Sequence, residues 1–230
     1  MKTSTKYFLV GTLILLVVWV IVLQVDFSDH GQQSRSRAYR LRNLAVAMHN
    51  YASSNGGLIP NTVRSESGVN LVSWRFCLVP WLDSAKMEFE VFPDLPWTAD
   101  VYRDWRDYRQ SNLCVEGSTD TRFAAVTGEA TVWSTSLTLP EMPGDLLILT
   151  EVSRGSHWMD PNDVDIDATD AQTIGELTGL QHEVHVAFAD ASVMRLKSDT
   201  PLSVLSPFFS VVSSETSNRV DLEKYSIPIE

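Results

Sequence analysis

The sequence predicts an α+β protein in which an N-terminal membrane-spanning helix precedes one globular domain. Three observations lead to this fold class. An almost wholly apolar run occupies residues 7–25, an apolar stripe with helical period follows it, and short β-rich runs separated by Gly, Pro, Asp and Ser fill most of the remainder. The 230 residues suffice for an anchor and a single domain with its own hydrophobic core.

The run from Tyr7 to Val25 has the length and apolarity of a transmembrane helix. At about 1.5 Å per residue it spans close to the ~30 Å hydrocarbon core of a bilayer. Gln24, near its end, is the only strongly polar member. A cleavable signal peptide is the alternative, but residues 24–29 offer no small-x-small cleavage site. We therefore predict a retained anchor over 7–25 that follows a cytoplasmic stub over 1–6.

Basic residues near the N-terminus set the predicted orientation. Lys2 and Lys6 favour a cytoplasmic N-terminus, although the arginines within 35–42 pull the other way from a greater distance. We predict a single-pass protein of the inner (cytoplasmic) membrane that contacts the membrane through this anchor. Residues 26–36 are predicted to form a juxtamembrane linker, and residues 37–230 an extracytoplasmic domain.

The domain is predicted to begin with an amphipathic helix. Apolar residues recur there at spacings of three and four, which is the period of one helix face. These residues are Ala38, Leu41, Ala45, Met48 and Ala52. The sequence Ser53-Ser54-Asn55-Gly56-Gly57 then ends the helix, because Gly readily adopts the left-handed conformation of a C-cap. We expect the apolar stripe to face the core and to pack on an antiparallel sheet.

Short apolar runs beyond Pro60 supply the predicted strands. These runs are residues 123–126, 130–133, 145–152 and 185–196. The run over 145–152 is apolar nearly throughout, as expected for a strand that is covered on both faces. The last run contains a turn at 189–192 between two β-rich arms and predicts a hairpin. Residues 74–82 are compatible with a short helix or a strand, and residues 201–212 with a helix or a packed segment.

The net charge of −11 is unevenly distributed along the chain. Residues 1–43 hold six basic and two acidic side chains, which leaves −15 for the remainder. This acidity argues against nucleic-acid binding, which needs a positive surface, and is typical of a soluble surface or of cation binding. Cys77 and Cys114 are the two cysteines, and they form either one disulfide or two buried thiols.

No pattern typical of an enzyme stands out, and we predict a non-enzymatic protein with no catalytic residues and no cofactor. The pair His182 and His185 lacks the spacing of a zincin motif, and on a strand the two rings point to opposite faces. The chain contains no G-x-S-x-G nucleophile elbow. Glu151 ends an apolar strand, where a buried carboxylate commonly accepts hydrogen bonds from the backbone or from Arg.

An acidic stretch offers one weak candidate for a metal site. Asp160, Asp163, Asp165 and Asp167 supply carboxylate oxygens of the kind that Ca²⁺ prefers. The stretch lacks the glycine and the bidentate glutamate of an EF-hand loop. A solvated loop is therefore the simpler interpretation, and a calcium site is the alternative.

Several landmarks occur in the order found in a known family. They are Arg42–Tyr51, Asn55–Gly57 with Pro60, Ser73–Arg75 with Leu78 and Pro80–Leu82, Pro96–Trp97, Ala125–Gly128, Leu147–Val152, His157–Asp163 and Val186–Val193. Over about residues 40–200 the ordered set resembles a large, mostly planctomycete family of pilin-like proteins. That family has a C-terminal H-x9-D-G motif and no established function, and it is related to the G-type pseudopilins of type II secretion.

The resemblance implies a pilin-like architecture with partners among envelope or secretion-system proteins. It also implies a bound calcium ion in a C-terminal loop, as in G-type pseudopilins. The chain departs from the family at Leu180, which replaces the motif's histidine, and at Ala191, which replaces its glycine. The start of the anchor, Lys6–Val10, lacks the G-F-T-L-x-E processing site of pilin precursors. That difference argues against prepilin processing and against pilin-type filament assembly.

These observations together lead to a membrane-anchored, pseudopilin-like structural or interaction protein of the cell envelope, with secretion as one process it could serve. A periplasmic ligand-binding or sensing module on the same anchor is the alternative, and it requires a pocket with convergent polar groups. An anchored hydrolase is a third hypothesis, and it requires a nucleophile and a base within hydrogen-bond reach.

Overall fold

A computed structural model of the chain describes residues 31–60, 62–82, 90–92, 94–135, 137–153, 155–211 and 218–229. The contacts within the chain divide it into a larger unit, Ala38–Pro228, and a smaller one that holds the remaining residues. The predicted anchor over 7–25 and the predicted stub over 1–6 lie outside the described residues. Within the described ranges, no helix combines the length and the apolarity needed to cross a bilayer.

Helix α1 covers residues 31–54. Residues 31–36, which we predicted to belong to a linker, are already helical, because Gln and Arg have good helix propensity and a single Gly does not prevent a helix. The predicted apolar stripe is confirmed, since Ala38, Leu41, Ala45, Met48 and Ala52 are at most 7% exposed. The predicted end is confirmed as well. Gly56 and Gly57 have φ angles of 67° and 88°, and the Gly57 N–H donates to the Ala52 carbonyl at 2.7 Å.

Among the residues that the structure describes, seven strands form two sheets. They are β1 (Val63–Arg64), β2 (Asn70–Val72), β3 (Phe123–Thr127), β4 (Leu147–Glu151), β5 (Val164–Asp165), β6 (Glu183–Phe188) and β7 (Val193–Lys197). Strands β1 and β2 make a separate antiparallel pair, and the five-stranded sheet has the order β5-β3-β4-β6-β7. All neighbours in the large sheet are antiparallel except β5, which runs parallel to β3. The fold is therefore mixed α and β with an N-terminal helix, as predicted at this level.

The strand predictions are confirmed at β3, at β4 and at the hairpin of β6 and β7. The prediction for residues 130–133 is wrong, because Val132–Ser134 is a 3₁₀ helix. Two hydroxyl groups explain the difference. The side chains of Thr131 and Ser134 both donate to the carbonyl of Gly128, at 2.9 and 2.7 Å, and this turns the chain back on itself.

Short 3₁₀ helices lie at Asp100–Tyr102, Val132–Ser134, Leu139–Glu141 and Arg219–Tyr225, and five α-helices shorter than α1 complete the described elements. They are α2 (Trp74–Cys77), α3 (Val79–Leu82), α4 (Arg103–Asp107), α5 (Ile174–Thr178) and α6 (Leu202–Phe209). The open alternative for residues 74–82 is thus decided in favour of helix. Pro80 is accommodated because it lies in the first turn of α3, where its missing N–H is not needed. For residues 201–212, which were compatible with a helix or a packed segment, the structure shows the helix α6.

Hydrophobic side chains cover the large sheet on both faces. On one face the α1 stripe packs with α2, Trp105 and Trp158 against Ala125, Ile148 and Ala187, as one cluster of buried residues. On the other face α6 contributes Leu205, Phe208 and Phe209 against Val126, Val184 and Phe188. Since successive strand residues point to opposite faces, the two clusters share the same strands. This arrangement explains why β4 is buried along its whole length, as its apolar run predicted.

The turn between β6 and β7 contains the domain's unusual backbone conformation. Ala191 has a φ angle of 64°, a region in which the Cβ of an L-residue meets its own backbone. Asp190 stabilises the turn, because its side chain accepts a hydrogen bond from the Ser192 N–H at 2.9 Å. Ala191 is the position at which the resembling family carries glycine. The sequence thus departs from that family where the backbone favours Gly.

We predict that Ala191→Gly raises the free energy of unfolding by about 1 kcal/mol, because Gly adopts a positive φ without the steric cost that Ala bears. Urea unfolding in detergent measures the change. Ala168→Gly is the matched control, since Ala168 is exposed and has a φ outside the left-handed region. This variant should be neutral or slightly destabilising. If Ala191→Gly lowers the free energy of unfolding as Ala168→Gly does, the result would contradict the backbone strain assigned to Ala191.

Candidate functional site

The most strongly constrained polar group of the domain is a buried ion pair. Arg75 of α2 and Asp163, which precedes β5, meet at 2.7 Å between Nη2 and Oδ1. Their side chains are only 1% and 6% exposed. A buried ion pair must recover its desolvation cost through further hydrogen bonds. Both partners here do so, and three of those bonds go to one segment of the sheet.

That segment is the outer edge of β3. Strand β5 pairs with β3 only at Val126 and Thr127. On the side of β3 that faces away from β4, the start of the strand therefore has no neighbouring strand. Arg75 fills this gap from one side, because its Nε and Nη2 both donate to the Phe123 carbonyl, at 2.9 and 2.7 Å. Asp163 fills it from the other side and accepts from the Ala125 N–H at 2.8 Å. The ion pair therefore provides hydrogen-bond partners for the Phe123 carbonyl and the Ala125 N–H, which a neighbouring strand would otherwise provide.

Local structure at α2 positions Arg75. Ser73 is the N-cap of the helix, and its hydroxyl oxygen accepts from the Arg75 N–H at 3.2 Å and from Arg75 Nη1 at 2.7 Å. The indole of Trp74 donates from Nε1 to Asp163, at 3.1 and 3.2 Å from the two carboxylate oxygens. The guanidinium carbon also lies 4.8 Å from the centre of the Trp74 ring. Asp163 is therefore the acidic partner of Arg75.

The four calcium candidates do not converge on one point. Asp163 is committed to Arg75, Trp74 and Ala125. Asp160 accepts from the Asn162 N–H at 3.0 Å, and Asp165 accepts from the Asp167 N–H at 2.9 Å. Asp167 in turn accepts from the Glu129 N–H at 2.6 Å. Among the described residues, no group of three or more His, Cys, Asp or Glu side chains has the geometry of a metal site. A calcium site stays a prediction that the described geometry does not favour.

A second buried pair joins β4 and β6. Glu151 and His185 are each 0% exposed at the side chain, and Glu151 Oε2 lies 2.7 Å from His185 Nδ1. They lie on the face of the sheet that α1 covers, since His185 is two residues before Ala187 of that cluster. His182 is exposed and precedes the strand, so it does not share a site with His185. His182 lies outside β6, so the prediction that the two rings point to opposite faces of one strand does not apply to it, and the partner of Glu151 is the His185 imidazole.

Charged side chains also attach the C-terminal segment. Arg219 lies over the Phe188 ring at 4.4 Å and bonds to Asp145, to Ser192 and, at 2.7 Å, to Asp190. Partial burial alone would raise the pKa of Asp190, but hydrogen bonds from Arg219 and Ser192 outweigh it and lower that pKa. A lowered carboxyl pKa stabilises the fold at neutral pH, and the contribution is lost as the pH falls through the folded-state value. Sequence reasoning missed Arg219, because no local pattern links it to residues this far away in sequence.

Landmarks that are distant in sequence meet in space. Trp74 and Arg75 meet Asp163, and the His49 Nε2 lies 2.8 Å from the Ala189 carbonyl at the hairpin turn. Tyr51 packs edge-on against Trp81, with ring centres 5.1 Å apart. The contacts of Arg75 and His49 connect α2 and α1 to the large sheet, and the contact of Tyr51 with Trp81 connects α1 to α3.

The two cysteines are both thiols in this structure. Cys77 is half-buried and Cys114 is buried. Burial raises the pKa of each thiol to about 11. Of the two alternatives that the sequence left open, the structure therefore has the thiols rather than the disulfide.

Comparisons with known proteins add no assignment, since no family model, no curated protein and no solved structure matches this chain.

We predict that Asp163→Asn lowers the free energy of unfolding by about 3–5 kcal/mol, because it leaves the Arg75 charge buried without a counter-charge. Asp165→Asn is the control. It lies two residues away, is exposed and keeps an acceptor for the Asp167 N–H, so its effect should stay within about 0.5 kcal/mol. Urea unfolding in detergent measures both. Equal effects of the two variants would contradict the role assigned to the ion pair.

The thiols are predicted to resist alkylation in the folded protein. With a pKa of about 11 for Cys77 and Cys114, only about a thousandth of each is thiolate near pH 8, and thiolate is the reactive form. Iodoacetamide should modify both residues only after denaturation without reductant, as two added groups by mass spectrometry. A denatured chain that takes up no label until it is reduced would instead demonstrate a disulfide.

Proposed function

We propose that this protein is a membrane-anchored, pilin-like structural or interaction protein of the cell envelope. The observation that carries the proposal is the packing of α1 on the large sheet, downstream of an apolar run. Its apolar stripe packs on the sheet in Ala38–Pro228, and the same chain carries the apolar run over 7–25 upstream. A membrane anchor followed by a helix that packs on an antiparallel sheet is the organisation that the family resemblance implies.

The polar interior supports a structural role. Arg75 and Asp163 hold the edge of β3, and Glu151 and His185 bridge two strands within the sheet. Residues of these types are also found in catalytic sites, where they contact substrate. Here each of them contacts protein groups that belong to the sheet. The absence of catalytic residues was predicted from the sequence and remains a prediction.

A ligand-binding module on the same anchor is the second candidate, and one cavity favours it. A cavity of about 540 Å³ lies beside the start of β3, and Arg75, Ser153, Ser156, Asp163 and Thr178 contribute to its walls. Its size falls within the range of small-molecule sites. Arg75 and Asp163 bond to the protein rather than toward the cavity, which is why this function ranks second.

The proposal predicts that the full chain fractionates with the membrane and that its N-terminus is intact by mass spectrometry. The variant Leu15→Arg/Val18→Arg should lose membrane retention, because each Arg at the centre of an apolar span costs about 2.5–3.5 kcal/mol on insertion. The variant Val69→Arg, at an exposed position of the domain, should be retained like the parent chain.

Two results would contradict the proposal in different ways. Recovery of the parent chain in the soluble fraction would contradict the predicted membrane anchor over 7–25. A trimmed N-terminus together with recovery in sheared surface filaments would instead identify a working pseudopilin, and it would overturn the expectation that the missing processing site prevents assembly.

A further inference from the structure

An open groove lies at the outer edge of the large sheet. It has a volume of about 560 Å³ and separates the β1–β2 pair from β5. Its walls include Arg64, Asn70, Glu129, Trp133, Asp165 and Asp167. The hydrogen bonds of Arg75 and Asp163 go to other protein groups and do not extend across this groove.

The backbone of β5 is open toward the side away from β3. Ile166 donates to the Thr127 carbonyl at 2.9 Å, and the Val164 carbonyl accepts from the Thr127 hydroxyl at 3.0 Å, so both residues face β3. In a parallel ladder the residue between them points its N–H and C=O the opposite way. That residue is Asp165, and within the described part of the chain no backbone group bonds to it on that side. Such an edge can accept an added strand.

The side chains around this edge are acidic and exposed. Asp165 and Asp167 are two residues apart, and the bond from the Glu129 N–H to Asp167 places Glu129 beside them. They belong to a portion of the chain that carries a net charge of −15. Cationic side chains spaced along an extended chain would complement this row of acids. Lys and Arg side chains on alternate residues of a strand have such a spacing.

The opposite wall supplies a donor. Arg64 is exposed, and its Nε donates to Asn70 Oδ1 at 2.9 Å, which holds the guanidinium on the β1–β2 side of the groove. A peptide backbone in the groove would therefore have Asp165 on one side and donors of Arg64 and Asn70 on the other. Trp133, in the 3₁₀ helix that follows β3, also lines the groove.

We propose that this groove binds an extended, basic peptide segment of a partner protein, which adds to the edge of β5 and places Lys or Arg side chains beside Glu129, Asp165 and Asp167. Its biological meaning rests on the interaction role proposed above. The binding itself does not require the anchor.

Fluorescence anisotropy with the full chain in detergent tests the proposal. The probe is a labelled, acetylated peptide of alternating Lys and Val residues. Two matched probes replace Lys by Glu, or methylate alternate backbone nitrogens and so remove the N–H donors. We expect binding of the Lys-Val peptide, weakening with salt, and loss of binding for both matched probes.

Matched variants locate the site on the protein. Glu129→Gln/Asp165→Asn should weaken binding of the Lys-Val peptide about five- to tenfold, because it removes two charges and keeps the hydrogen-bond acceptors. Asp104→Asn/Glu116→Gln removes two exposed charges outside the groove and should leave the affinity unchanged. Unchanged urea unfolding of both variants shows that folding is not the cause.

Three results would overturn the proposal. They are no binding of the Lys-Val peptide, equal binding of the backbone-methylated peptide, and equal weakening by the two double variants. The second and third would each show attraction to the acidic surface in general rather than strand addition in this groove. None of them would alter the outcome of membrane fractionation, so failure of this inference can be told apart from failure of the proposed function.

Discussion

The open edge of β3 is the constraint on which much of the remaining structure depends. Backbone groups at the edge of a buried sheet must find partners, and β5 is too short to supply them beyond Val126 and Thr127. The ion pair of Arg75 and Asp163 takes the place of the missing strand. To reach that edge, α2 has to lie beside it with its N-cap in place, and the segment before β5 has to pass the same point. One ion pair thus fixes the positions of three separate parts of the chain.

The other edge of the sheet is closed by a different device. The Ile227 N–H donates to the Arg195 carbonyl of β7 at 2.7 Å, and Leu222 is buried in the cluster that α6 forms. Arg219 holds the same segment to the hairpin turn at Asp190. Both edges are therefore covered over part of their length by groups other than long strands, which is a common way to prevent unwanted pairing. The stretch at Asp165 is the part of the β5 edge that stays accessible.

The charged side chains of the domain divide into those that satisfy backbone groups of the sheet and those that stay exposed. Charged groups that serve the sheet are buried and paired, as with Arg75 and Asp163. The acids that do not serve it, such as Asp165 and Glu129, remain exposed along a groove. The paired buried groups thus maintain the fold, and the exposed acids line the groove in which we proposed a partner peptide binds.

The sequence by itself determined the features that depend on local periodicity and turn chemistry. The α1 stripe, its glycine end, β3, β4 and the hairpin around Asp190 follow from spacings of three to four or of two residues, and such spacings are visible without a fold. Only the tertiary structure decided the rest. The 3₁₀ helix at Val132 depends on hydroxyl bonds to Gly128, and the pairing of Arg75 with Asp163 joins residues 88 positions apart. No local pattern encodes a partner at that separation, because the partner is set by how the sheet edges and helices pack.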